Sequence, residues 1–185
     1  MKSIVIYKSK YGSTRTYAKW IAEELGCSAF ESKYVKIDDL LAYDVIVYGG
    51  GLYAEAINGV TLITKNPEVL KDKKIVIYTT GITPIECREY YDKLVIEKNF
   101  KQGLPGNVTI YNFLGKMILD ELSLPHRAAL KTLKKIMSAK ENPTEMEKLL
   151  VKLCDVNEDF TKREYIKELV KNVLNYQTEE DKNGE

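Results

Sequence analysis

Three short runs of branched and aromatic residues, at 4–7, 45–48 and 75–79, each give way to Gly, Ser or Thr and then to apolar residues at helical spacing. This alternation constrains the chain more than any other feature. Strands separated by helices must run parallel, and right-handed crossovers then wind the helices onto both faces of one sheet. Residues 28–30 add a weak second strand and residues 108–111 a fifth. The expected architecture is α/β: a doubly wound, five-stranded parallel sheet of order 2-1-3-4-5.

The helices carry their own signals. Tyr17, Ala18, Ile21, Ala22 and Leu25 share one face, and Gly26 stops that helix. Thr83-Pro84-Ile85-Glu86 reads as a capping box with proline at the first helical position, followed by a buried stripe of Cys87, Tyr90, Tyr91 and Leu94. Near the end, Thr161-Lys162-Arg163-Glu164 reads as a cap for a helix buried through Tyr165, Ile166, Leu169, Val170, Val173 and Leu174. At 185 residues the chain is expected to form a single domain over 1–176, with a helical insertion at about 114–160 and a disordered tail at 177–185.

Twenty-eight Lys and Arg against 27 Asp and Glu leave a formal charge of +1, which lacks the broad basic field of a nucleic-acid binder. Cys27, Cys87 and Cys154 are few and far apart, so neither a zinc site nor a redox dithiol is expected. The opening apolar run is too short for a signal-peptide core, and nowhere do about 18 apolar residues run together, which points to the cytoplasm. Within the insertion, Arg127, Lys131, Lys134 and Lys135 fall on one side of an amphipathic helix. Their charge could draw an anionic substrate or lipid, giving peripheral membrane contact. His126, at the start of that helix, reads as structural or solvent-facing.

In a doubly wound sheet, ligands sit at the carboxyl ends of the strands. Three segments meet there. Ser9, Lys10, Tyr11, Gly12, Ser13 and Thr14 lead from the first strand into the first helix, offering hydroxyls and amides to a phosphate. Gly49, Gly50, Gly51, Leu52, Tyr53 and Ala54 follow the third strand with little bulk before an aromatic, which suits approach to a flat ring. Thr79, Thr80, Gly81 and Ile82 form another small turn. There is no GxxxxGK[ST], and the GxGxxA match at Gly49, Gly51 and Ala54 lies outside the first βα unit that a dinucleotide fold requires.

The stretch from Ser9 to Thr14 resembles the [ST]-x-x-G-x-T phosphate loop of flavodoxins. The phrases Tyr7-Lys8-Ser9-Lys10-Tyr11-Gly12-Ser13-Thr14 and Gly50-Gly51-Leu52-Tyr53-Ala54, with the long insertion, look most like the flavodoxin-type, quinone-dependent protoporphyrinogen dehydrogenases. The resemblance implies non-covalent FMN. Residues 9–14 would hold its phosphate, and Gly50, Gly51, Leu52, Tyr53, Ala54, Thr79, Thr80, Gly81 and Ile82 would frame its ring. It implies an FMN-dependent oxidoreductase acting on a reduced organic substrate with a quinone or other acceptor. The alternative is a flavodoxin carrying electrons between protein partners, a role for which a charge of +1 lacks the usual acidity. Ala54, carried over to the third position of a ring-facing turn, is a non-glycine where positive φ is wanted, which would disfavour one-electron chemistry.

Overall fold

The computed structural model describes the backbone of residues 1–183 and the side chains of residues 1–179. Strands β1 (Ser3–Lys8), β2 (Ala29–Glu31), β3 (Val45–Tyr53), β5 (Lys74–Gly81) and β6 (Val108–Leu114) form a parallel sheet in the order β2-β1-β3-β5-β6. A two-residue strand, β4 (Ala56–Ile57), pairs antiparallel with the end of β3. The doubly wound order expected from the sequence is therefore present.

Side chains alternate across each strand, so one strand feeds two cores. Val5, Val47, Val76 and Tyr78 pack beneath α1 (Ser13–Glu24) and α7 (Lys167–Asn183), against Tyr17, Ile21, Leu169 and Val173. Ile4, Ile6, Ile46, Tyr48, Ile75 and Ile77 face the opposite side, where Tyr90, Tyr91, Val95 and Phe100 cover them. At roughly 1.5–3 kcal/mol for each large apolar side chain fully buried, these two layers supply most of the stabilisation.

Some expected local structure differs. No long helix follows β3. Two single turns, α2 (Thr61–Thr64) and α3 (Pro67–Leu70), make that crossover. Thr83 to Glu86 form a turn rather than a capping box: the Cys87 amide donates to the Pro84 carbonyl and the Tyr91 hydroxyl to the Thr83 carbonyl. A π-helical segment, Tyr90–Val95, then runs into α4 (Ile96–Asn99). Its wider turn shifts the stripe, so Val95 is buried and Leu94 is exposed.

Residues 161–164 likewise do not cap a helix directly. The Thr161 hydroxyl donates to Asp159, and a 3₁₀ turn, Arg163–Ile166, leads into α7. Leu174 is exposed, whereas Ile166, Leu169, Val170 and Val173 are buried. The tail expected to be disordered from residue 177 continues α7 as far as Asn183, where Gln177 donates to Ser3 Oγ at 2.8 Å. Residues 184–185 of that expectation lie outside the described residues. Among the described residues no helix is long and apolar enough to cross a membrane.

The insertion leaves the sheet at Gly115 and returns beside it. Strands β7 (Lys116–Met117) and β8 (Glu158–Asp159) pair antiparallel, and between them α5 (Leu124–Ser138) packs against α6 (Glu145–Leu153). The phenol of Tyr17 ties this neck to α1, donating to the Leu114 carbonyl and accepting from the Lys162 amide.

Candidate functional site

Helix α1 begins at Gly12, whose φ of 100° and ψ of −35° suit a residue without Cβ. A helix start leaves four amides without intrahelical acceptors. The Gly12 amide donates to Ser9 Oγ, while those of Ser13, Thr14 and Arg15 have no acceptor among the described residues. Ser13 and Arg15 line a cleft of about 570 Å³ together with Lys10, Tyr11, Gly12, Lys116 and, among the acids, Glu121 and Asp159. A Cβ on Gly12 would come no nearer than 3.8 Å to another group, the Lys116 Cε, so the mouth of the cradle is open.

The hydroxyls of this loop are placed differently from the sequence expectation. Thr14 is buried and hydrogen-bonds Thr80 at 2.8 Å, and Ser13 Oγ accepts from the Lys116 amide at 2.9 Å. They brace the loop against β5 and β7. The donors left for an anion are chiefly the amides, backed by the positive end of α1.

The glycines after position 48 belong to β3 itself, which runs to Tyr53. Gly49 and Gly50 are small for internal reasons: a Cβ on Gly49 would lie 2.0 Å from the Tyr78 ring, and one on Gly50 2.6 Å from Ile57. Tyr78 is fully buried and donates to the Thr14 carbonyl at 2.8 Å, so the room at Gly49 serves the first turn of α1. Thr79 and Thr80 also lie inside a strand, with the Thr79 hydroxyl donating to Asn112 Oδ1 at 2.6 Å. What remains at the surface is Leu52, Tyr53 and Ala54 beside Gly81 and Ile82, where a Cβ on Gly81 would be 3.6 Å from Leu52 Cδ1.

Ala54 and Glu55 join β3 to β4 in a two-residue hairpin, with φ of 46° and 63°. Positive φ at both positions is the mark of a type I′ turn, which normally takes Asn-Gly. The strain is retained because Asn99 clamps the hairpin, donating to the Glu55 carbonyl and accepting from the Ile57 amide. Ala54 is thus already at positive φ, and the argument against one-electron chemistry drawn from it falls. Replacing the pair with Asn-Gly should relieve about 1–2 kcal/mol and raise the melting temperature by about 3–6 °C in calorimetry. No rise would mean that the hairpin is unstrained.

The insertion supplies residues that the sequence left outside the site. Tyr11 Oη lies 2.8 Å from His126 Nδ1 and 3.2 Å from Ser123 Oγ, while Lys10 Nζ lies 3.3 Å from His126 Nε2. The Tyr53 ring sits 5.2 Å from His126 and 6.5 Å from Tyr11. Burial pushes the Tyr53 phenol up to about 12. Burial also raises the Tyr11 phenol, but its hydrogen bonds to Ser123 and the Lys10 charge outweigh this and hold it below its ordinary value. His126 is half-buried against Tyr11, Tyr53 and Lys10, which agrees with a structural role and sets it beside the candidate site, and only a long-range contact could have revealed it.

The basic face is less free than its sequence implies. Lys134 pairs with Asp155 at 2.7 Å, and Arg127 donates to the Leu119 carbonyl with Asp120 at 3.8 Å. Lys131 and Lys135 are exposed and have no acid partner among the described residues.

Residues 4–146 match the family described as a flavodoxin domain. Among solved structures, the chain is similar to a flavodoxin from the domain Archaea at 18% identity, over 65% of this chain and 88% of that one, with a TM-score of 0.41. It is similar to the oxidised flavodoxin 2 from Bacillus cereus at 20% identity, over 62% and 86%, with a TM-score of 0.36. A flavoprotein in complex with FMN from Lactobacillus acidophilus NCFM matches at 14% identity, over 61% and 91%, with a TM-score of 0.37. No curated protein matches the chain.

Proposed function

The chain belongs to the flavodoxin domain family, and from that membership we propose that residues 1–176 form one FMN-dependent oxidoreductase unit that oxidises a reduced organic substrate. FMN is the cofactor, and the residues present fit it. The unsatisfied amides of Ser13, Thr14 and Arg15 at an open glycine N-cap offer what a phosphate dianion needs. When bound, FMN supplies hydride or electron transfer, and the protein supplies its placement and the exclusion of water.

In this reading residues 9–14 hold the phosphate, with Ser13 and Thr14 acting through their amides while their hydroxyls lock the loop. Gly50 and Gly51 keep β3 and β4 in register, and Leu52, Tyr53, Ala54, Gly81 and Ile82 frame the ring. Thr79 and Thr80 act from behind, through Asn112 and Thr14. The observation that carries an enzyme rather than an electron carrier is the contact of Ser123 and His126 with Tyr11: the insertion roofs the region where a carrier would leave its ring open to a protein partner. A protoporphyrinogen-like donor with a quinone acceptor is the finer form of this proposal.

Anaerobic assays of the FMN-loaded protein test it. Turnover of a porphyrinogen or another reduced organic substrate with quinones is expected. Exchange of electrons with redox proteins alone would establish the carrier instead, and failure to take up FMN would remove both. The insertion helix adds a further expectation, that Lys131 and Lys135 attract anionic substrate or anionic lipid at a membrane surface. At about 1 kcal/mol for each Lys near such a surface, Lys131→Gln with Lys135→Gln should weaken vesicle binding or raise KM by about tenfold or more. No change in either removes the role.

A further inference from the structure

His126 is the chain's single histidine, and its ring forms a triangle with those of Tyr11 and Tyr53, at centroid distances of 5.6 and 5.2 Å from them, while the two tyrosine rings lie 6.5 Å apart. Both of its nitrogens are engaged. Nε2 faces Lys10 Nζ at 3.3 Å, and because an ammonium has no lone pair to offer, Nε2 must accept. The ring proton is thereby assigned to Nδ1, which donates to Tyr11 Oη at 2.8 Å, and the phenol shares a further hydrogen bond with Ser123 Oγ at 3.2 Å.

We propose that His126 is a positioning residue of the cofactor site, holding the first turn of α5 closed against Tyr11 and Tyr53 only while its imidazole is neutral. The link to FMN rests on the function proposed above. The closure itself rests on the geometry alone.

Protonation places a second N–H where the ammonium of Lys10 already points, and nothing nearby offsets the new charge. The groups facing the ring are Lys10 and Tyr11 from the loop before α1 and Tyr53 from the end of β3, with Ser123 of its own segment on the Tyr11 phenol; the neighbouring Arg127 is turned to the Leu119 carbonyl. The acids of that segment are taken: Asp120 lies 3.8 Å from Arg127 and Glu121 2.6 Å from Lys116. Among the described residues no carboxylate pairs with His126. Burial first, and then the charge of Lys10, push the imidazole below its ordinary value of 6.5.

The sign follows by linkage, since the closed form binds fewer protons than the open one. Closure is at full strength above the open-state value near 6.5 and weakens as the pH falls below it. Raising the pH from neutrality toward about 8 leaves it unchanged.

Hydrogen exchange of the α5 amides in protein without added FMN tests the closure at about pH 8 and about pH 5, corrected for the chemical exchange rate. The comparison is with His126→Gln, which offers the same donor and acceptor but stays neutral, and with Lys10→Met, which removes the opposing charge. The unaltered protein should lose several-fold in protection at the lower pH, Lys10→Met should lose less, and His126→Gln should lose none beyond a control segment in β5. An equal pH response in all three overturns the proposal. In parallel, the Kd for FMN should rise several-fold more on acidification in the unaltered protein than in His126→Gln. Equal rises, with exchange still differing, overturn the role in the cofactor site. Absence of FMN binding in every form removes the cofactor reading and leaves the exchange result to decide the closure.

Discussion

Gly49→Ala lowers the melting temperature by about 10 °C, the largest stability loss expected from adding a single methyl group to this chain. The new Cβ would lie 2.0 Å from Cζ and 2.2 Å from Oη of Tyr78, a ring packed beneath α1 against Phe113 at 5.6 Å and Tyr17 at 6.5 Å. It cannot swing into solvent, so the sheet must shift or the ring must leave its place. Overpacking of this kind costs about 1–3 kcal/mol, and a buried hydroxyl torn from the Thr14 carbonyl adds about 1–3 more. At about 2–4 °C per kcal/mol for a chain of this size, calorimetry reads the sum directly. In a Tyr78→Leu background the same alanine should cost far less, because the clashing atoms are gone. If the two costs simply add, the close approach is not the cause.

Gly12→Glu should abolish FMN binding while leaving the fold intact. Two contributions are separable. A side chain at φ of 100° is strained by about 1–2 kcal/mol, and a carboxylate about 4 Å from a phosphate charge opposes it by about 4 kcal/mol at the effective dielectric of a protein surface. The strain is present with and without FMN and weighs on stability alone, so Kd reads the charge, close to a thousandfold at about 1.4 kcal/mol for each tenfold. Gly12→Ala carries the strain without the charge and should lose about 1–2 kcal/mol of stability with its Kd nearly unchanged. Riboflavin, which has no phosphate, should bind weakly to the unaltered protein and be indifferent to the added carboxylate. Titration by flavin fluorescence separates these cases, and retention of tight FMN binding by Gly12→Glu would place the phosphate elsewhere.

What was legible in the sequence is what short-range pattern encodes. The alternation of Ile4, Val5 and Ile6 fixes two faces of a strand, and Ser9 to Thr14 can only be a turn into a helix, so the sheet order and the start of α1 could both be read. The purpose of the small residues could not. Gly49, Gly50, Thr79 and Thr80 look like open ligand loops in one dimension, yet each is explained by a neighbour in another element: Tyr78, Ile57, Asn112 and Thr14. His126 is the same lesson reversed, since its partner Tyr11 is 115 residues away. Leu94 was misplaced because one π-helical turn moves every later residue around the axis, and no local propensity marks where that happens.

The pairing of Met117 with Glu158 brings the two ends of the insertion side by side. Everything between them is therefore topologically an appendix: a two-residue turn could close β7 directly onto β8 without moving a strand of the main sheet. Such an excision would take away Ser123, His126, Lys131 and Lys135 while sparing Gly12 and the start of α1. In the function proposed above, nucleotide capture and the choice of what meets the nucleotide would be written in separable lengths of chain, the second exchangeable, like the bit of a drill, without recutting the chuck.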